Sequence, residues 1–299
     1  MNKIKVNLHS HVLGSFGPWW KKQFGIEGRN LAEVVTNKCI EKGLGIYAVT
    51  NDFPPEFRIK TRFEQLFNYA RNLPWYYKTD KIGNNAFVIE REDRKRVYFL
   101  DGKSINVIDD GRKYELLTFG ASNIPDGASF SETSRCLKDK GLLGIAEHPF
   151  AEGHHGAMDE EKLIELWEDK YIDAVEHNGK IAVPNCFSFV PEFNKYLRKC
   201  NQDLAFVADS YGIPMISNDD SDAITHIGTA YTEFPRDKIR LDKGENIVQD
   251  LNALIRTDDF DCHFGYLNFS EWFRYAVWIV TIKDHFLGLR GRYDKTRDF

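Results

Sequence analysis

Two histidines stand one residue apart in Asn7-Leu8-His9-Ser10-His11, where an alternating apolar segment, Ile4, Val6 and Leu8, runs out. Side chains on a strand alternate between its faces, so residues i and i+2 point the same way and both imidazoles can converge on one metal ion just past the strand end. Taken alone, two such histidines are more often satisfied by hydrogen bonds. Other apolar runs, however, also end in polar residues of the same chemistry: Asn51-Asp52, Glu147-His148, Glu176-His177-Asn178 and Asp219-Asp220-Ser221-Asp222. In a sheet of parallel strands, ligands collect beyond the carboxyl ends of the strands. Neutral imidazoles and carboxylates drawn from different strands hold divalent cations and leave positions open for water, as a hydrolytic metal centre requires.

A second tier of residues surrounds these. His154 and His155 lie in the Gly-flanked segment Glu152-Gly153-His154-His155-Gly156, just after the Glu147-His148 turn, and are candidates for donating a proton. A solvent-exposed loop pair is the plainer reading. His177, at a strand end beside Asn178, is a candidate for contact with substrate or metal, whereas His226, His263 and His285 carry no motif and read as structural.

The elements that must position these residues are short β-rich runs alternating with helical patterns, the layout of repeated βα units around a mainly parallel sheet. Strands are expected at about 4–8, 46–50, 114–119, 142–147, 172–176, 214–217 and 230–234. Leu31, Val34, Val35 and Cys39 keep helical spacing behind Asn30, with Glu33 three residues on, a capping-box-like start. Further helices fit 132–140, 159–169 and 193–211. Two regions interrupt the alternation. Residues 54–101 combine an aromatic helical pattern with a hairpin, 86–89 and 96–100 around a charged turn, and read as an insertion. Beyond Leu267, the residues Trp272, Phe273, Tyr275, Trp278 and Phe286 recur at near-helical spacing, as expected of a helix packed on the body.

With 299 residues, 42% of them hydrophobic, and a net charge of -5, the chain fits one large domain and argues against sequence-independent nucleic-acid binding. Five scattered cysteines, Cys39, Cys136, Cys186, Cys200 and Cys262, suggest neither a disulfide framework nor a cysteine zinc site, and a reducing cytoplasmic setting is expected. The start of the chain lacks an export-signal pattern, and the apolar run at 275–282 is far too short to span a bilayer, so no membrane role is expected.

The order of an N-terminal His-x-His, a Thr-Asp-His-like turn, an Ala-His-Pro-like turn and a late Asp-x-His-like turn resembles that of the PHP (polymerase and histidinol phosphatase) superfamily. Asn7-Leu8-His9-Ser10-His11 is similar to its first motif, Ile145-Ala146-Glu147-His148-Pro149-Phe150 to its His-Pro motif, and the segment 216–234 around Asp220 to its last. The resemblance covers about residues 4–234. It implies a distorted (β/α)7 TIM-like barrel over 1–245, to which the residue patterns add the insertion and a helical extension over 246–299 packed on the barrel. It also implies metal-dependent hydrolysis of phosphoesters.

Departures from the pattern bear on the ligand set. Phe16 stands where the resemblance calls for aspartate, Asn51 and Asp52 replace an Asp-His pair, and Ser104 aligns with a bridging glutamate. Glu115 and Asp222 fall where histidines are expected. The ligand set the resemblance implies is therefore His9, His11, Asp52, Glu115, His148 and Asp220; the catalytic candidates are Asp222, from the last motif, and His154, His155 and His177, from their positions alone. Exchange of histidine for carboxylate favours harder ions. One or two divalent ions, Mn, Fe, Zn or Mg, are expected rather than three. Glu90, Glu92, Asp101 and Asp109 are alternative sources of the missing carboxylate.

The activity expected is a metal-dependent phosphoesterase on a small phosphorylated substrate. Two rivals stand beside it. A degenerate barrel serving as a binding or scaffold module is favoured by Phe16, Asn51 and Ser104; a nuclease acting on nucleic-acid ends would need a basic groove from Lys60, Arg62, Arg94 and Lys95. Nothing in the sequence fixes an oligomeric state.

Overall fold

The computed structural model describes residues 2–11, 30–51, 61–151, 157–179, 191–221 and 224–266, with the backbone alone at 191–198. In chain order the elements are β1 (Lys3–Asn7), α1 (Leu31–Lys42), β2 (Leu44–Asn51), α2 (Arg62–Ala70), β3 (Tyr77–Lys81), β4 (Ala86–Arg91), β5 (Arg96–Asp109) and β6 (Arg112–Phe119). They continue with α3 (Phe130–Asp139), β7 (Ile145–Ala146), α4 (Glu160–Glu168), β8 (Ala174–Asn178), α5 (Pro191–Tyr211), β9 (Met215–Asn218), β10 (Tyr231–Pro235), α6 (Gly244–Arg256) and β11 (Asp261–His263).

One mixed sheet runs in the order β11-β10-β1-β2-β5-β6-β7-β8-β9, with β3 and β4 attached to β5. It curls until its ends meet. The Ser217 amide of β9 donates to Thr232 Oγ1 of β10 at 2.9 Å, that hydroxyl donates to the Ser217 carbonyl, and Cys262 Sγ of β11 donates to the Met215 carbonyl. Beyond the strand ends, Ser10 and Ser221 form a parallel bridge. The sheet is therefore a nearly closed barrel, joined at its seam by side-chain hydrogen bonds in place of a full ladder.

Alternation builds the packing. On β2, Ile46 and Ala48 join the main core, whereas Tyr47 and Val49 face a second apolar cluster with Leu31, Val35 and Cys39 of α1 and Phe63 and Leu66 of α2. Asn30 caps α1 through the Ala32 amide, and Gly43 ends it in the left-handed region with φ 74. The expected partner Glu33 instead accepts a hydrogen bond from Tyr76. Full capping boxes form at Thr61/Glu64 and Ser129/Glu132.

The expected hairpin exists as β4 and β5, antiparallel with Glu90 opposite Arg96. Its second strand does not stop at residue 100. It runs on to Asp109, pairs with β2 in parallel, and turns through Asp110 and Gly111, with φ 48 and 73, into β6. β6 is thus antiparallel to both β5 and β7, a departure from the mainly parallel layout the sequence suggested. The run expected at 142–147 is a strand only at Ile145–Ala146. The aromatic segment after Leu267 lies outside the described residues. Among the described residues, no helix is long and apolar enough to cross a membrane.

Candidate metal centre

The register of the sheet carries one face round the barrel. Asn106 pairs with Glu115 and Ser104 with Leu117, which in turn pairs with Ile145, so Ser104, Glu115 and Glu147 share a face. β7 then pairs with β8, Ile145 with Ala174, which puts Glu176 on that face, followed by Asn178. Because β6 runs backwards, Glu115 near its start lies at the same end of the barrel as residues that end parallel strands.

Two side-chain turns end the strands there. Asn7 Oδ1 accepts the His9 amide at 3.3 Å, and Asp219 Oδ1 accepts the Ser221 amide at 3.1 Å. Asn7 Nδ2 donates to Asp219, whose other oxygen accepts the Gly228 amide, so the two turns are locked together. Burial pushes the Asp219 carboxyl up to about 7, opposed by hydrogen bonds from Ser221, Gly228 and Asn7. His148 and Asp220 both have left-handed backbone, φ 31 and 44, which residues other than glycine rarely adopt. That twist aims His148 to the same side as its neighbour Glu147.

Two groups of potential ligands result: His9, His11 and Asp220, and Glu115, Glu147 and His148, with the donor atoms of each group within 4.8 Å of one another. His9 Nε2 lies 2.9 Å from His11 Nε2 and 3.5 Å from Asp220 Oδ1. His148 Nε2 lies 3.3 Å from Glu147 Oε1 and 4.0 Å from Glu115 Oε2. The groups adjoin, with the His9 and His148 rings 6.3 Å apart. His11 and Glu115 keep side-chain exposures of 14% and 18%, and the other four are nearly fully buried, so the open side of the centre is theirs.

A supporting layer orients these groups. His9 Nδ1 is 2.8 Å from Glu176 Oε1, which also accepts from Asn218; Asn178 donates to Asp220 Oδ2 and Ser104 to Glu147 Oε2. A carboxylate behind a histidine fixes its tautomer and leaves Nε2 as the ligand atom.

Electrostatics fit divalent cations. Burial alone would lower the His9 pKa, but the Glu176, Glu147 and Asp220 carboxylates outweigh it and carry the imidazole well above its ordinary range. His148 is raised against its burial in the same way, mainly by Glu147. Burial and the charge of Glu147 push Glu115 up to about 7. The buried Glu176 Oε2 has no hydrogen-bond partner among the described residues. A donor set this rich in buried carboxylate takes up protons where it lacks metal, and exchanges them for cations.

The sequence candidates His9, His11, Glu115, His148 and Asp220 are thus brought together. Asp52, His154, His155 and Asp222, like Phe16, lie outside the described residues. His177 sits on the face of β8 opposite Glu176, against Phe264 at 4.4 Å and Tyr266, and burial pushes its pKa down to about 4. The alternative carboxylates are engaged elsewhere: Glu90 with Arg96, Asp101 with Ser122 and Asp109 with Lys162. Sequence reasoning passed over Glu147 and Glu176, although both stood at the strand ends it considered.

Fold and site define a barrel-like α/β protein with adjoining groups of potential metal ligands. Among solved structures it is similar to PsfC from Pseudomonas syringae, with a TM-score of 0.51 and 14% identity over 88% of this chain and 92% of that one. It is also similar to a two-domain protein from Bacteroides vulgatus containing a predicted PHP-like metal-dependent phosphoesterase, with a TM-score of 0.52 and 12% identity. That match covers 88% of this chain, which spans 65% of the two-domain protein. The PHP-type resemblance read from the motifs thus holds for the fold. No family model matches the sequence, and no curated protein matches it.

Proposed function

We propose that this chain is a metal-dependent phosphoric ester hydrolase acting on a small phosphorylated substrate. The observation that carries this reading is the convergence of His9, His11 and Asp220 with Glu115, Glu147 and His148 at one end of the barrel. Divalent cations held there would offset the charge of phosphoryl oxygens and acidify water enough for it to act as nucleophile near neutral pH.

The chain's own residues would do the remaining work. His9 offers Nε2 while Glu176 holds its Nδ1, and Asn178 orients the Asp220 carboxylate. His11 and Glu115, partly exposed, border the side from which substrate would enter. His154, His155 and Asp222 remain the candidates for moving a proton to the leaving group. His177, buried and neutral near pH 7, is assigned to packing.

Elemental analysis tests the reading. Wild-type protein is expected to carry or take up Mn, Fe or Zn near stoichiometrically and to hydrolyse a phosphomonoester in a chelator-sensitive way. The His9→Ala/His11→Ala variant should lose both while keeping its circular dichroism spectrum. Wild-type protein that stays empty after metal addition would favour the binding-module reading instead.

A further inference from the structure

Glu147 touches both ligand groups. Its Oε1 lies 3.2 Å from His9 Nε2 and 3.3 Å from His148 Nε2, so one carboxylate oxygen stands between the two halves of the centre. Its Oε2 accepts a hydrogen bond from Ser104 Oγ at 2.7 Å, which fixes the plane of the carboxylate from the far side of β6. No other carboxylate is placed this way among the described residues: Glu176 lies behind His9, Glu115 sits at the His148 end and Asp220 at the His11 end.

We propose that Glu147 is the carboxylate shared by two cation positions, one completed by His9, His11 and Asp220, the other by Glu115 and His148, with Ser104 as its positioning residue. This rests on the metal-dependent reading above. Two divalent cations bound a few ångströms apart repel strongly, and a shared negative charge between them is what allows both to be held. Ser104 lies on the same face and in contact with Glu147. A carboxylate moved from residue 147 to residue 104 would therefore reach the same space.

The experiment is Mn²⁺ binding to the full chain, counted by elemental analysis after equilibrium dialysis and followed by electron paramagnetic resonance. Wild type should hold two ions with a spin-coupled spectrum. Glu147→Gln, which keeps the Ser104 hydrogen bond and the side-chain volume, should hold one ion with an isolated six-line spectrum. The Ser104→Ala variant should still bind two ions, with the weaker bound about tenfold less tightly. The Ser104→Glu/Glu147→Ala double variant should regain two.

A Glu147→Gln variant that binds two coupled ions as wild type does would overturn the proposal and leave the metal reading intact. So would a wild-type protein that saturates at one ion. A wild-type protein that binds none would overturn both.

Discussion

Two Glu-His dipeptides end neighbouring strands, and the difference between them shows what single residues decide. At Glu176-His177 the strand keeps its alternation, so only the glutamate faces the centre and the histidine packs outward on Phe264. At Glu147-His148 the histidine takes φ 31, alternation breaks, and both side chains face inward. A sequence reader drawn to histidine chooses the right residue once and the wrong face once, because residue type does not reveal a left-handed φ. His9, His11 and Asp220 were legible because their motif fixes both spacing and chemistry. Glu176 was not, since its work is done behind His9. Replacing Glu176 by Gln should therefore weaken Mn²⁺ binding by about 10- to 100-fold without changing the number of ions at saturation, as competition with a chromophoric chelator would measure. Unaltered affinity would remove Glu176 from the supporting layer, and complete loss would make it a ligand.

At the level of elements, helices and strands were legible from their periods, β6 among them, and the reversed direction of β6 was not. Asp110-Gly111 carries the signal of a two-residue hairpin turn, yet the charged and irregular run from Asp101 to Ser104 hides that β5 continues through it. Two of those residues have half-buried partners off the barrel interior: Lys103 pairs with Asp126, and Asp101 accepts from Ser122 at 2.7 Å. Burial pushes the Asp101 carboxyl up to about 7, although the Ser122 hydrogen bonds oppose it. The folded chain then holds this proton over a range, from about pH 4 to 7, where the unfolded chain has released it. Its contribution to stability is complete below about pH 4, falls as pH rises, and is lost above the folded pKa. Asp101→Asn should accordingly gain on wild type by about 1–3 kcal/mol at pH 8 and by little at pH 4 in urea unfolding. A difference between the two proteins that does not change with pH would show that Asp101 is ionised in the fold at neutral pH.

For the whole molecule, the barrel concentrates at one end charges that the rest of the fold cannot neutralise. Glu115, Glu147, Glu176 and Asp220 converge there with three imidazoles. The surrounding carboxylates raise the pKa values of His9 and His148 against their burial, and burial with the charge of Glu147 raises that of Glu115 to about 7, so this end of the barrel favours added positive charge. The same end is where the sheet closes: the His11 amide donates to the Ser221 carbonyl at 2.8 Å, beside the Ser10–Ser221 bridge. Cations bound to His9, His11 and Asp220 would tie β1 to β9 across that seam, and binding that exists only in the folded chain adds to its stability. At a free Mn²⁺ concentration 100 times the dissociation constant the gain is about 2.7 kcal/mol, which for a chain of 299 residues raises the thermal midpoint by roughly 4 °C. Calorimetric scans with Mn²⁺ and with excess chelator should differ by at least that amount for wild type and by clearly less for His9→Ala/His11→Ala. An equal shift in the variant would mean that the ion acts elsewhere on this acidic surface. No shift in wild type would mean that the end of the barrel closes without metal, with its protons as the only counter-charge.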